Sequence, residues 1–309
     1  MLITPSALNL FFTGLSTKFW LAYRNTPIWW QKIAMMFPSS TETELYGWMG
    51  KIPTLRQWTG SRELQNPHTR SYSLTNLPFE LTLSVDKWKL QDDTYGLYSP
   101  MVEMMGWQAA KWPDYEVIKL LTTGGLCADG GQFWATTHPV NYYDSTLSVY
   151  SNYSASGLAL TTAHYQTVRS TMAAYKGEDG KPLGVMPNLL VVPPALEQIA
   201  RTIVEASFIG MAAVGPESTT SGTTENVLKG TAQVLVIPEL AGNDTTWYLL
   251  DTTRPIKPFM WQQRQAPNFV YRVNEQDPAV FERHEYVYGV DARGVAGFAH
   301  PWLAYKAVA

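Results

Sequence analysis

Between Leu45 and Thr123 the spacing of apolar residues changes character, and the chain on either side of the change is predicted to form different elements. Phe79, Leu81, Leu83 and Val85 alternate with Glu80, Thr82, Ser84 and Asp86, which gives a strand one apolar and one wet face. Just upstream, Tyr72 and Leu74 alternate with Ser71, Ser73 and Thr75. Asn76-Leu77-Pro78 between the two runs has turn chemistry, so the pattern predicts a β-hairpin. Tyr98, Val102, Met105, Ala109 and Trp112 then recur at steps of four and three, the stripe of a helix buried along one side. Ser99-Pro100 offers an N-cap followed by proline, with Thr94 an alternative start. Pro113 predicts a kink or restart, because it lacks an N–H and its ring crowds the preceding turn. Val117, Ile118 and Leu121 carry the apolar face on to Gly124-Gly125.

The flanking regions follow the same logic. Thr4-Pro5 opens a helix whose wide stripe is Leu8, Phe11, Phe12, Leu15, Phe19, Ala22 and Tyr23, and an aromatic connection with Trp29, Trp30 and Phe37 follows. So aromatic a segment packs either on its own body or on a neighbour. Residues 124–160 show little periodicity and read as loops and short strands. From Leu160 the pattern is helix (Tyr165, Val168, Met172, Tyr175), buried strand (Leu189 to Val192), then helix after Pro193-Pro194 (Leu196, Ile199, Ala200, Ile203, Val204). Gly215 to Asn226 reads as a surface loop. Strands return at Ala232 to Ile237, Trp247 to Leu250 and Asn268 to Val273, and Phe281 to Val308 is strand-like, with Tyr286, Tyr288 and Val290 alternating. The overall class is α+β, without internal repeats.

Composition narrows the function. The 309 residues are 45% hydrophobic and only 16% charged, enough for one large or two modest cores, and the formal charge is −3. That balance does not suit a protein that grips phosphates. Lys51 to Lys89 is locally different, with six basic against three acidic residues, a net of +3. Such a basic arm suits nucleic acid, an acidic neighbouring subunit, or simply a solvated face. The chain shows no secretory signal and no apolar run of membrane-spanning length, so folding in a cytoplasm is expected.

Catalytic signatures are sparse. Cys127 is the sole cysteine, and His138 and Asp144 beyond it match no local nucleophile signature. His68, His138, His164, His284 and His300 never fall at the helical spacing of metal ligands, so no metal and no cofactor is expected. Gly124-Gly125 and Gly130-Gly131 lack the Lys-Ser/Thr of a P-loop. Glu282, Glu285 and Asp291 interleave with Arg283 and Arg293, which suits structural ion pairs better than an acid/base dyad. Asn152 and Asn243 begin glycosylation sequons that carry no meaning in a chain without a secretory signal.

Several blocks, in one order over nearly the whole chain, carry a resemblance. They are Met1-Leu2-Ile3-Thr4-Pro5, Pro38-Ser39-Ser40-Thr41, Tyr46-Gly47-Trp48, Leu55-Arg56-Gln57-Trp58 with Gly60, Asp92 to Pro100, Gly131-Gln132-Phe133, Thr137-His138-Pro139, Glu285 to Gly294 and Pro301 to Lys306. Together they resemble the Mu-like phage major head subunit (major capsid protein) family. The resemblance implies the tailed-phage major capsid fold of the Hong Kong ninety-seven type. In that fold residues 1–45 would be an N-terminal arm and 46–92 the E-loop hairpin. Residues 93–160 would form a P domain with a spine helix at about 94–123, 161–270 an A domain, and 271–309 a return to the P domain ending in a C-terminal strand.

The implied function is a non-enzymatic subunit of the icosahedral shell around a phage genome. The implied partners are copies of itself in hexamers and pentamers, a separate scaffolding protein, a portal, packaged double-stranded DNA without specific binding, and no membrane; a decoration protein is left open. Arm-like sequence beginning at Met1 underlies the expectation of a separate scaffold. No motif places a lysine–asparagine cross-link of the kind some relatives carry. Expected inter-subunit contacts are Trp29, Trp30, Arg56, Trp58, Arg62, Arg70, Tyr72, Phe79, Leu81 and Leu83. Competing readings are an encapsulin-like compartment of the same fold, a carbohydrate-binding module using exposed Trp and Tyr, and a hydrolase using Cys127.

Overall fold

A computed structural model describes residues 5–47, 72–92, 98–140, 149–177, 180–210, 223–274 and 276–309. The chain opens with α1 (Pro5–Asn25) and the short α2 (Trp30–Ile33), which lead into β1 (Ala34–Pro38) and β2 (Thr43–Tyr46). Next come β3 (Tyr72–Thr75), β4 (Leu77–Asp86), α3 (Lys87–Gln91) and the long α4 (Tyr98–Thr122). Short strands β5 (His138–Pro139), β6 (Val149–Tyr150) and β7 (Tyr153–Ser154) precede α5 (Thr162–Ala173), β8 (Leu189–Val192) and α6 (Glu197–Val204). A small ribbon of β9 (Phe208–Gly210) and β10 (Thr223–Glu225) is followed by β11 (Gln233–Val236) and β12 (Thr246–Leu250). The chain ends with β13 (Phe259–Arg272), α7 (Pro278–Arg283), β14 (Glu285–Phe298) and β15 (Ala304–Val308).

Two sheets organise these elements. The first has the order β1-β13-β14-β4 and the second β11-β8-β12-β15-β7. In the first, Tyr286, Tyr288 and Val290 of β14 pair with Val85, Leu83 and Leu81 of β4, so the alternating residues of both strands share one face. That face packs with α1 and α4 around Phe12, Phe19, Val102 and Met105. The helices cross at Gly106, where a Cβ would lie 2.4 Å from the Phe19 carbonyl oxygen; only glycine allows backbones so close. The aromatic stripe of α1 is thus satisfied within its own chain, and residues 5–25 are a docked helix, not a free arm.

The second sheet is covered on both faces. Leu189 and Val191 of β8, with Tyr248 and Leu250 of β12, face a core shared with α4 and Trp134. Leu190, Val192, Trp247 and Leu249 face the opposite way, into a core with α5 and α6. Double burial explains why these strands read as continuous apolar runs. The two halves are joined at the end of α4. There the Tyr248 hydroxyl (3.0 Å) and Lys306 Nζ (3.4 Å) donate to the Leu121 carbonyl, and Trp134 Nε1 donates to Leu120 (3.0 Å). Those carbonyls would otherwise lack partners at a helix C-terminus.

Two expectations need correction. The predicted hairpin of residues 72–75 and 79–85 does not form: β3 pairs with β2, and β4 pairs with β14. Asn76 is no turn residue but a buried junction where the chain changes sheets. Its Nδ2 donates to Ser39 Oγ (2.8 Å), the Thr41 carbonyl (2.9 Å) and the Glu42 carbonyl (3.2 Å). Nor does the helix restart at Pro113: α4 runs unbroken from Tyr98 to Thr122. Trp112, Pro113 and Asp114 are all buried there, and the Asp114 carboxylate accepts the Trp29 (3.1 Å) and Trp30 (2.8 Å) N–H groups and pairs with Lys111 (2.9 Å). Packing and this cluster of polar contacts override the cost of one missing helical hydrogen bond.

Candidate assembly surfaces and a buried side-chain cluster

Tyr46 is paired with Tyr72, so the two ends that flank residues 48–71, which lie outside the described residues, are neighbours. The root they form is a polar knot. The Tyr46 hydroxyl donates to Gln262 Oε1 (2.7 Å), and Gln262 Nε2 donates to Asn76 Oδ1 (2.9 Å) and the Leu74 carbonyl (3.2 Å). On the outer side Glu44 Oε1 accepts from Ser40 N (2.8 Å), Thr41 N (3.0 Å) and Ser39 Oγ (2.9 Å). Those N–H groups, Ser40 first, hold the Glu44 carboxyl down from its ordinary 4.5 to about 2. Burial pushes the hydroxyls of Tyr46 and Tyr72 up to about 12 each. Tyr72 also accepts the Phe298 N–H (3.1 Å), which ties the root to the end of β14.

The second feature is the margin of the first sheet. Among the described residues β4 is an edge strand with 10 residues, and such an edge invites pairing with another chain. Leu77 (48% exposed) and Leu81 (38%) stand on it. Beside them a groove of about 280 Å³ opens between α4 and the sheet, lined by Phe79, Leu81, Ala109, Trp112, Pro267 and Val290.

The residues expected at subunit contacts separate into three groups. Arg56, Trp58, Arg62 and Arg70 lie outside the described residues, as does most of the basic arm and most of the loop expected at Gly215 to Asn226. Trp29 and Trp30 are buried in their own chain's core beside Trp112, Phe259 and Trp261, so they have no surface to offer a neighbour; shape and apolar area favoured the intramolecular site. Tyr72, Phe79 and Leu83 are half-buried and Leu81 is exposed. The rings of Phe79 and Trp112 lie 4.9 Å apart, so the apolar face of β4 rests largely on its own α4.

The cysteine is buried, and its partner is one that sequence spacing did not single out. Cys127 Sγ donates to Asp129 Oδ1 (2.9 Å), and Asp129 Oδ2 lies 2.6 Å from His138 Nδ1. His138 therefore stands behind a carboxylate and does not contact the thiol in the manner of a base. Burial, followed by the Asp129 charge, pushes the thiol far above its ordinary range, which opposes nucleophilic use. Asn152, the first residue of a sequon, is fully buried and closes the cluster from the far side. Its Nδ2 donates to the carbonyls of Phe133 (2.7 Å) and Pro301 (3.2 Å).

The model of the Mu-like prophage major head subunit gpT family matches residues 8–159, 153–240 and 238–309. The major capsid protein of Escherichia phage Mu is 27% identical over 300 residues, a match that covers 96% of this chain and 72% of that protein. The Mu-like prophage FluMu major head subunit of Haemophilus influenzae is 24% identical over 305 residues, covering 98% and 73%. Among solved structures, the procapsid of bacteriophage JBD30 is similar with a TM-score of 0.60 at 27% identity, over 99% of this chain and 76% of that one.

Proposed function

The chain belongs to the Mu-like prophage major head subunit gpT family, and from that premise we infer how its geometry serves a shell. It is a major capsid protein with the tailed-phage capsid fold, a structural subunit whose copies assemble into the phage head. Membership in that family favours the head-subunit reading over the compartment and glycan-binding readings and is consistent with a non-enzyme.

In the proposed reading, the E-loop expected at residues 46–92 narrows to 48–71, outside the described residues, which would reach a neighbouring copy, because β3 and β4 pair within the body. The first sheet with α1 and α4 is the P domain, α4 its spine helix, and the second sheet with α5 and α6 the A domain. Leu77, Leu81 and the adjoining groove receive a neighbour. The observation that carries this reading is the knot of Tyr46, Gln262, Asn76 and Glu44. A root held by these hydrogen bonds spares the segment between its ends part of the ordering cost of binding. Individual contacts of about 4 to 8 kcal/mol, ~1 mM to ~1 μM, hold a shell collectively while letting misplaced subunits leave.

The same reading has no catalytic step and assigns hexamers and pentamers as capsomers. It also assigns a separate scaffolding protein, a portal, assembly in the host cytoplasm, and double-stranded DNA held without specific contacts. The net charge of −3 supports the last point, since an inner wall that gripped phosphates would hinder packing. Electron microscopy of the full chain expressed with its scaffold tests the reading, with closed shells the expected result. Deletion of residues 49–70, which spares β3 and β4, should leave a soluble folded body that builds none. Shells of normal size from that variant would refute the role given to residues 48–71.

A further inference from the structure

Residues 123–137 join α4 to β5 with neither helix nor long strand, yet three side chains of different donor chemistry converge at this connection. The side chains of Asp129 and His138 are 2% and 1% exposed, and Cys127 is buried with them. One ligand atom from each, sulfur, oxygen and nitrogen, lies within 4.8 Å of the others.

The surroundings set the orientation of the imidazole. His138 Nε2 faces the Phe133 carbonyl (3.0 Å) and Asn152 Oδ1 (3.1 Å). The Asn152 amide cannot be turned about, because its Nδ2 serves two carbonyls while its Oδ1 accepts the Ala135 N–H (3.0 Å). Nε2 therefore meets only acceptors and carries a proton, which points Nδ1 at Asp129 and Cys127. Metal-binding imidazoles are oriented in this way, with the remote N–H donated to a carbonyl.

Charge balance points in the same direction. Without an ion, the 2.6 Å separation of Nδ1 from Asp129 Oδ2 is a hydrogen bond with one shared proton and the thiol donates its own to Oδ1, so the cluster is neutral whichever atom holds the shared proton. Exchanging the thiol proton and the shared proton for a divalent cation leaves a thiolate, a carboxylate, a neutral imidazole and two positive charges. Both states are neutral, so binding adds no net buried charge. The cation itself deprotonates a coordinating thiol, which offsets the effect of burial on Cys127.

We propose that Cys127, Asp129 and His138 form a binding site for a divalent cation of borderline softness, zinc above all, that clamps the connection after α4. Sulfur and imidazole select against magnesium and calcium, and carboxylate, imidazole and thiolate are all zinc ligands. The Gly131 carbonyl, 3.5 Å from Sγ, or a water supplies the fourth position. Binding takes in one Zn²⁺ and releases two protons to solvent.

Metal analysis of the untagged full-length chain, purified without chelator, should find about one zinc per chain after dialysis. Replacement by Co²⁺ should give a thiolate-to-cobalt charge-transfer band in the near ultraviolet at one equivalent. Cys127→Ser and His138→Gln should each lose at least about nine-tenths of the retained metal, and the serine variant should lose the band. The cobalt spectrum of the unsubstituted chain decides the matter even if a variant fails to fold. Absence of both zinc and the charge-transfer band in that chain, or undiminished metal in folded Cys127→Ser, would overturn the proposal.

Discussion

The two sheets of this subunit solve burial in opposite ways. In the five-stranded sheet, β8 and β12 are buried along their whole length and pack on both faces. In the four-stranded sheet, β4 and β13 alternate over much of their length, and the margin at β4 leaves leucines exposed. A sheet filled on both sides has little apolar surface left to offer, whereas one with a long exposed edge is the part suited to joining other copies. In the proposed reading, stability and association are thus concentrated in different places within one chain.

The largest expected effect breaks the filled sheet. Trp247 is fully buried, so Trp247→Ala should cost about 3 to 5 kcal/mol in denaturant unfolding, whereas Leu81→Ala should cost under about 1 kcal/mol. Equal losses would erase the distinction. Next is the helix crossing: Gly106→Leu forces a side chain into the Phe19 backbone and should cost about 1 to 3 kcal/mol, with α1 becoming sensitive to limited proteolysis while the five-stranded sheet stays protected.

Acid should sharpen the comparison. Burial first, then Arg254, holds His300 down from 6.5 to about 4, so the stability it contributes is complete above about pH 6.5 and is lost as pH falls toward 4. Glu44, held at about 2 against an ordinary 4.5, contributes stability that is complete above about pH 4.5 and is lost between there and 2. Hydrogen exchange against pH should therefore show loosening around His300 at a higher pH than at the root around Glu44. His300→Gln and Glu44→Gln should each flatten only their own window. The smallest effect on stability is expected for Leu81→Lys, within about 0.5 kcal/mol of the parent, yet light scattering should show that this variant no longer forms shells.

Much of this was legible from sequence. Period-two alternation located β4 and β14, period-3.6 stripes located α1, α4 and α5, and the run Leu189 to Val192 matched β8 residue for residue. The resemblance blocks name a family that the match over residues 8–159, 153–240 and 238–309 establishes. Local pattern is sufficient there because helix and strand periodicities follow from backbone geometry alone. Partner choice was not legible. An alternating strand shows which face is apolar but not which strand lies beside it, so β3 and β4 looked like a hairpin while Asn76 in fact sends them to different sheets. Trp29 and Trp30 looked equally fit for a neighbour or a core until α4 and β13 closed over them.

The cysteine cluster shows the same division. Asp129 and His138 are ordinary residues in a glycine-rich connection, and only the packing of Phe133, Asn152 and Pro301 brings their polar atoms together. The sequence by itself determined the elements, the apolar faces and the family. The tertiary structure decided strand partners, which aromatic residues stay inside, and where sulfur, carboxylate and imidazole meet, because these depend on contacts between segments far apart in the chain, on which local periodicity is silent.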